Sequence, residues 1–256
     1  MLLQKLSWAG VLIQSEDTVI LIDPLGRTPE GQEKPLAGRV GEPLEPLLTF
    51  DQLPKPTAIL ISHIHPDHFD PISITQSFGT DLPVLVPIES VEMVKQTGLT
   101  NVIGVTVGYT ETYNTVTVKA AQSVDGYGTP QVSWIVEGKG GKVIHFSDTL
   151  FHGYWWRIAR EHGPFEAACL PVNGPVLEVY GLPQQSVLPA CMTPEEAVEA
   201  AKILGAKRLV PIHFGTFHNP PYYIETPNLI ERLERRAAER DVPLTILQAG
   251  ESVQFS

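Results

Sequence analysis

The stretch Ile59-Leu60-Ile61-Ser62-His63-Ile64-His65-Pro66-Asp67-His68-Phe69-Asp70 constrains this chain more than any other. Its apolar start reads as a strand. That strand runs directly into three histidines and two aspartates. His63 and His65 are two residues apart, so on an extended backbone both side chains point to the same side. Pro66 breaks the strand, and the turn lets Asp67 and His68 fold back toward the same space. Imidazole and carboxylate together suit zinc, iron or manganese. Two nitrogens from the strand, with a carboxylate and a nitrogen from the turn, can serve two adjacent ions. A purely structural role would need three imidazoles crowded at one strand end, each with its own partner.

The rest of the chain reads as layered α/β. Short β-branched runs recur at Val11-Ile13, Thr18-Ile22, Ala58-Ile61, Val84-Val86, Val102-Val107, Val132-Val136 and Val143-Phe146, punctuated by Gly, Pro, Asn and Asp. They predict strands. Tyr113 to Ala121 alternates and predicts one half-buried strand. The N-terminal segment also reads as a strand. Helices are expected at Glu89 to Thr97, Tyr154 to Glu161 and Leu229 to Arg240, and after the capping-box start Thr193-Pro194-Glu195-Glu196. Gly98 and Gly205 stand where helix ends need them. A length of 256 residues suits a single domain over 1–256. Residues 26–48 and 174–190 are Gly/Pro-rich and lack periodicity, so they are candidate lids or binding loops.

Composition excludes several classes. The formal net charge is -11, and the only Lys/Arg cluster, Arg232 to Arg236, is interleaved with acids. That is the opposite of a nucleic-acid surface. The mean hydropathy is +0.01, and no apolar run approaches the roughly 20 residues of a membrane span. Cys169 and Cys191 are the only cysteines, which rules out a disulfide scaffold or a cysteine-rich zinc site. The N-terminus lacks a signal-peptide pattern, so a cytoplasmic location is expected. A small-molecule substrate is the expected partner, with a second copy of the chain as a further candidate.

Two more strand ends carry candidate ligands. Asp148 follows the strand ending at Phe146, where an acid is costly to bury unpaired. His213 follows the apolar Leu209-Val210-Pro211-Ile212. With Ser7-Trp8-Ala9-Gly10, Leu21-Ile22-Asp23-Pro24 and Ser147-Asp148-Thr149, these elements fall in an order that resembles the metallo-β-lactamase superfamily. More narrowly, the chain resembles the metal-dependent hydrolase branch that holds ascorbate-phosphate lactonase-like and N-acyl-phosphatidylethanolamine phospholipase-like proteins. The resemblance implies an αββα sandwich, two mixed sheets face to face with helices outside and the active site at one edge. It implies one or two divalent ions, zinc first and manganese or iron as alternatives. His63 and His65 become ligands of the first metal. Asp67, His68 and His213 become ligands of the second, and Asp148 the bridge. Asp23 would orient a metal-bound histidine through a ring N–H. The implied activity is hydrolysis of a small ester, lactone or phosphodiester, with Asp67 and Asp148 holding the nucleophile.

One position departs from the family pattern. A histidine is expected at the end of the strand Lys119-Ala120-Ala121-Gln122-Ser123, where this chain has Gln122. Either Gln122 coordinates through oxygen, a different residue fills in, with His152 the best substitute, or the first site is weak or empty. Gln122 is also what supports a second reading, a metal-binding sensor or degenerate paralogue with little catalysis. A third reading, di-iron redox chemistry, would need an acid in that place. Of the other histidines, His218 is a candidate substrate contact, while His145 and His162 read as a core and a helix-end residue.

Overall fold

The apolar runs and turn residues resolve into strands and helices over residues 1–26, 40–178 and 186–256, which the structure, a computed structural model, describes. In chain order these are β1 (Leu2–Lys5), β2 (Val11–Ser15), β3 (Thr18–Ile22), β4 (Ala58–Leu60), α1 (Pro71–Phe78), β5 (Val84–Pro87), α2 (Val91–Lys95), β6 (Val102–Val105), β7 (Thr110–Tyr113), β8 (Val116–Gln122), β9 (Val132–Gly138) and β10 (Gly141–His145). There follow α3 (Trp155–His162), β11 (Ala167–Pro171), β12 (Val176–Leu177), α4 (Pro194–Leu204), β13 (Leu209–Ile212), β14 (Tyr223–Ile224), α5 (Leu229–Glu239) and β15 (Ser252–Gln254).

Among the described residues, one sheet has the order β15-β1-β2-β3-β4-β5-β6 and the other β13-β11-β10-β9-β8-β7. Both are mixed: β3 to β6 and β10-β11-β13 pair parallel, the rest antiparallel. The sheets face each other across a core that includes Ile13, Ile20, Leu60, Val118, Trp134 and Val143. Burying each such side chain contributes about 1.5–3 kcal/mol. On the outer faces, Ile74, Phe78 and Val94 of α1 and α2 cover Ile59 and Val84. Trp155, Val198 and Leu233 of α3, α4 and α5 cover Ile144 and Leu170. This is the expected αββα sandwich. None of the described helices is long and apolar enough to cross a membrane.

The capping box forms as read: Thr193 Oγ1 accepts the Glu196 N–H, Glu196 reaches back to Thr193 N–H, and Gly205 ends α4 in the left-handed region at φ 63°. Two expectations need correction. The alternating stretch Tyr113 to Ala121 is not one strand, because Asn114 turns the chain at φ 52° and splits it into the β7-β8 hairpin. Helix α1 was not expected, although Asp70 caps it by accepting the Ser73 N–H and Pro71 opens it. Of the two expected loops, residues 27–39 and 179–185 lie outside the described residues.

The layout fixes the place of the site. Strands β3, β4, β8, β10, β11 and β13 all run toward the same edge. Ligands of open α/β sheets bind beyond the carboxyl ends of such strands.

Candidate metal centre

Each carboxyl end contributes polar side chains. Asp23 follows β3, Ser62 to His68 follow β4, Asp125 follows β8, Ser147 and Asp148 follow β10, Asn173 follows β11, and His213 follows β13. Asp23, Ser147 and His213 hold φ values of 44°, 58° and 59°. Such left-handed backbone costs of order 1–3 kcal/mol per non-glycine residue, so the surrounding contacts must impose it.

The donor atoms collect in two groups. His63, His65, Asp125 and Asp148 form one, and Asp67, His68 and His213 the other, with the atoms of each within 4.8 Å of one another. Asp148 joins them. Its Oδ1 lies 3.5 Å from His63 Nε2 and its Oδ2 3.9 Å from His68 Nε2. His63, His65, Asp67, His68, Asp148 and His213 thus meet although the sequence separates them by up to 150 positions.

Hydrogen bonds behind the groups set the direction of the rings. Asp23 is fully buried and accepts from Ser62 N at 2.7 Å, Ser62 Oγ at 2.6 Å and Ser147 Oγ at 2.8 Å. His68 Nδ1 lies 3.2 Å from Asp23 Oδ2, so it donates outward. His213 Nδ1 lies 3.0 Å from Asn173 Oδ1 and donates likewise. His63 Nδ1 faces Ser62 Oγ at 2.9 Å, and His65 Nε2 faces Thr129 Oγ1 at 2.7 Å. Trp8, in the β1-β2 turn of the sheet that also holds β4, supports the second group. Its Nε1–H donates to Asp67 Oδ2 at 3.1 Å, and its ring lies 4.0 Å from that of His213. The β1-β2 turn that carries Trp8 is held by the buried Lys5, which donates to the carbonyls of Leu6 and Trp8. Burial pulls the Lys5 ammonium down to about 7.

The electrostatics follow from this packing. Burial would raise Asp67, but the charges and hydrogen bonds of His68 and His213 outweigh it and hold the carboxyl well below its usual range. Burial would lower His68, but Asp67, Asp23 and Asp148 overcome it and raise the imidazole well above its ordinary value. His63 is pushed well down, first by burial and then by the neighbouring histidines. Burial likewise takes His213 to about 4.

Each of the two groups offers donors that could hold a metal ion. His68 and His213 both commit their outer nitrogens, so their Nε2 atoms, 3.1 Å apart, present lone pairs to each other. Only a cation between them, a proton or a metal ion, makes that arrangement favourable. In the first group Asp125 Oδ1 is buried and accepts no hydrogen bond among the described residues. It lies 4.0 Å from His65 Nδ1.

Asp125 is the residue that sequence reading missed. The first group takes its further oxygen donor from this acid, three residues beyond Gln122. Gln122 ends β8 opposite Val132, and the chain runs on before the acid turns inward. The Asp125-Gly126 turn was the available signal. His152 does not substitute: its ring stacks on Trp155 at 4.2 Å, and its Nδ1 accepts the Tyr154 N–H. His218 is exposed and lines a separate groove with Phe214, Glu225 and Leu229. The pocket over Asp67, Asp148 and His213 is instead walled by Tyr127, Pro175, Leu177, Cys191 and Tyr223. Among the described residues, Val40 of the first expected loop and Pro175, Leu177 and Ala190 of the second line this pocket.

Comparison with known proteins agrees with the geometry. A family model described as a beta-lactamase superfamily domain matches residues 18–214. A UPF0173 metal-dependent hydrolase of Rubrobacter xylanophilus is 30% identical over 210 residues, covering 76% of this chain and 77% of that protein. Among solved structures, the isothiocyanate hydrolase from Delia radicum gut bacteria shares the fold with a TM-score of 0.79 at 18% identity, covering 100% of both chains. CmlA, a diiron β-hydroxylase from Streptomyces venezuelae, shares it with a TM-score of 0.76 at 16% identity, over 99% of this chain and 54% of that one. The chain therefore belongs to the β-lactamase superfamily, with the metallo-β-lactamase fold, and within it to the UPF0173 metal-dependent hydrolases.

Proposed function

We propose that the chain, as one domain over 1–256, hydrolyses a small ester, lactone or phosphodiester at a two-metal site. His63, His65, Asp125 and Asp148 would hold one ion, and Asp67, His68, His213 and Asp148 the other. The observation that carries this reading is the meeting of His68 Nε2 and His213 Nε2 at 3.1 Å with both outer nitrogens already donating. Zinc suits the imidazoles. The carboxylates of Asp125, Asp148 and Asp67 also suit manganese or iron, and Asp125 removes the reason for a weak first site. When bound, the ions supply a nucleophilic water at neutral pH and polarise the scissile group.

The protein's own groups divide the remaining work. Asp67 is held anionic and fixed by the Trp8 indole, so it orients and does not accept the proton. Asp148 spans the two groups and keeps 14% of its side chain exposed toward the pocket. It is placed to hold the proton released on attack. Asp23, Ser62 and Ser147 keep the imidazoles turned inward. Tyr127, Leu177 and Tyr223 give the pocket an apolar rim suited to a small organic substrate. The motif order shared with the lactonase-like and phospholipase-like branch supports the same substrate class.

The test is metal analysis of the purified protein with a panel of probes: 4-nitrophenyl acetate, a γ-lactone, bis(4-nitrophenyl) phosphate and benzyl isothiocyanate. The last is included because one protein of the same fold hydrolyses isothiocyanates. Two ions per chain and turnover of at least one probe, abolished in Asp148→Asn with the fold intact, are expected. Wild-type turnover and metal content in Asp148→Asn would refute the bridging role.

A further inference from the structure

Behind His213 the Asn173 hydrogen bond extends into a set of contacts that reaches the pocket wall. Asn173 stands two residues past β11 and is fully buried. Its backbone carbonyl accepts the Thr226 N–H at 2.8 Å, which fixes its place. Its Oδ1 lies 3.0 Å from His213 Nδ1 and 3.0 Å from Cys191 Sγ. Its Nδ2 donates to the Tyr223 hydroxyl at 2.7 Å.

These partners set the orientation of the amide. A carbonyl oxygen carries no hydrogen, so the contact with His213 is a hydrogen bond only if Nδ1 is protonated. With Oδ1 on that side, the amide accepts from both the imidazole and the thiol. The Tyr223 hydroxyl accepts the Nδ2–H and anchors that side of the amide. His213 is then confined to the tautomer whose Nε2 lone pair faces His68 and Asp67. Cys191 and Tyr223 also wall the pocket over Asp67 and Asp148. Pocket wall and metal group are therefore joined through one amide.

We propose that Asn173 is the positioning residue of His213, and that the Tyr223 hydroxyl anchors its amide, so that the second metal group depends on the pocket wall for its affinity. The inference rests on the two-metal reading above.

Cobalt titration of the full chain, followed by visible absorption and competition with a chromophoric chelator, tests it. Asn173→Leu should weaken the second group about 10–100-fold and alter its absorption, as loss of a histidine-orienting partner does. Asn173→Asp keeps an acceptor toward His213, and Tyr223 can donate to its other oxygen. It should stay within about threefold of wild type, a rescue that bulk packing at this position would not produce. Tyr223→Phe should give a smaller loss in the same direction. Wild-type affinity and spectrum in Asn173→Leu, with the wild type binding two ions, would overturn the inference alone. A wild type that takes up no cobalt would overturn the two-metal reading and this inference with it. Should Asn173→Leu fail to fold, proton–nitrogen spectra of metal-free wild type with isotope-labelled histidine decide, because zinc on Nε2 would by itself leave the proton on Nδ1. A proton on His213 Nδ1 supports the inference, and its absence there refutes it.

Discussion

Replacing Asp125 by Asn separates the two jobs of its carboxylate. Oδ2 shapes the loop by accepting the N–H groups of Tyr127 at 3.0 Å and Thr129 at 2.7 Å. Oδ1 faces His65 Nδ1 at 4.0 Å and accepts no hydrogen bond among the described residues. An Asn side chain can keep its carbonyl oxygen on the two N–H groups. Its amino group then stands where the anionic oxygen was. Unit charges about 4 Å apart attract by about 4 kcal/mol at an effective dielectric of about 20, and a divalent ion doubles that. Screening and the remaining donors reduce the loss. At least about 2.8 kcal/mol, or about 100-fold in the dissociation constant of the first ion, is expected to remain. The metal-free protein should change by no more than about 1 kcal/mol, because both loop hydrogen bonds survive. Gln122→Ala should leave both affinities as they are. Chelator competition measures the affinities and denaturant unfolding the stability. Wild-type affinity in Asp125→Asn, or a first-site loss in Gln122→Ala instead, would show that the third position was misassigned.

Three further outcomes are expected. Trp8→Phe keeps a ring against His213 but removes the donor to buried Asp67, which should cost about 1.5–3 kcal/mol in metal affinity or stability; calorimetric titration showing no change refutes the role of the indole. In the metal-free protein the raised His68 contributes stability that is present in full below about pH 6.5 and lost as pH rises through its folded value. Metal uptake must expel that proton, so affinity should rise with pH across this window, and an indicator in weak buffer should register the release; uptake with no proton release contradicts it. Thr193→Ala breaks both halves of the capping box and should lower stability by about 0.5–2 kcal/mol in thermal unfolding, with metal content unchanged.

What the sequence could say by itself was what neighbouring residues decide. The spacing of His63 and His65, the break at Pro66 and the capping box at Thr193 act within a few residues of chain. So do the β-branched runs that became strands. Even locally the reading had gaps: Asn114 split one expected strand, and Asp70-Pro71 opened a helix that was not expected. Tertiary structure decided the rest through strand register. Asp125 reaches His63 and His65 because β8 pairs with β9, β9 with β10, and an isolated bridge joins Asp125 to Thr149. Trp8 meets Asp67 because β1-β2-β3-β4 pairing sets the β1-β2 turn at the same sheet edge as the end of β4, and the Trp8 carbonyl also accepts the His213 N–H from the opposite sheet. Asn173 meets His213 because β11 lies parallel to β13. Each of these contacts joins residues tens of positions apart, and no local pattern encodes which strand will be the neighbour. Burial then acts on whatever the register brings together: away from water, a carboxylate or imidazole must find a donor, an acceptor or a cation, and at this sheet edge those partners come from distant strands.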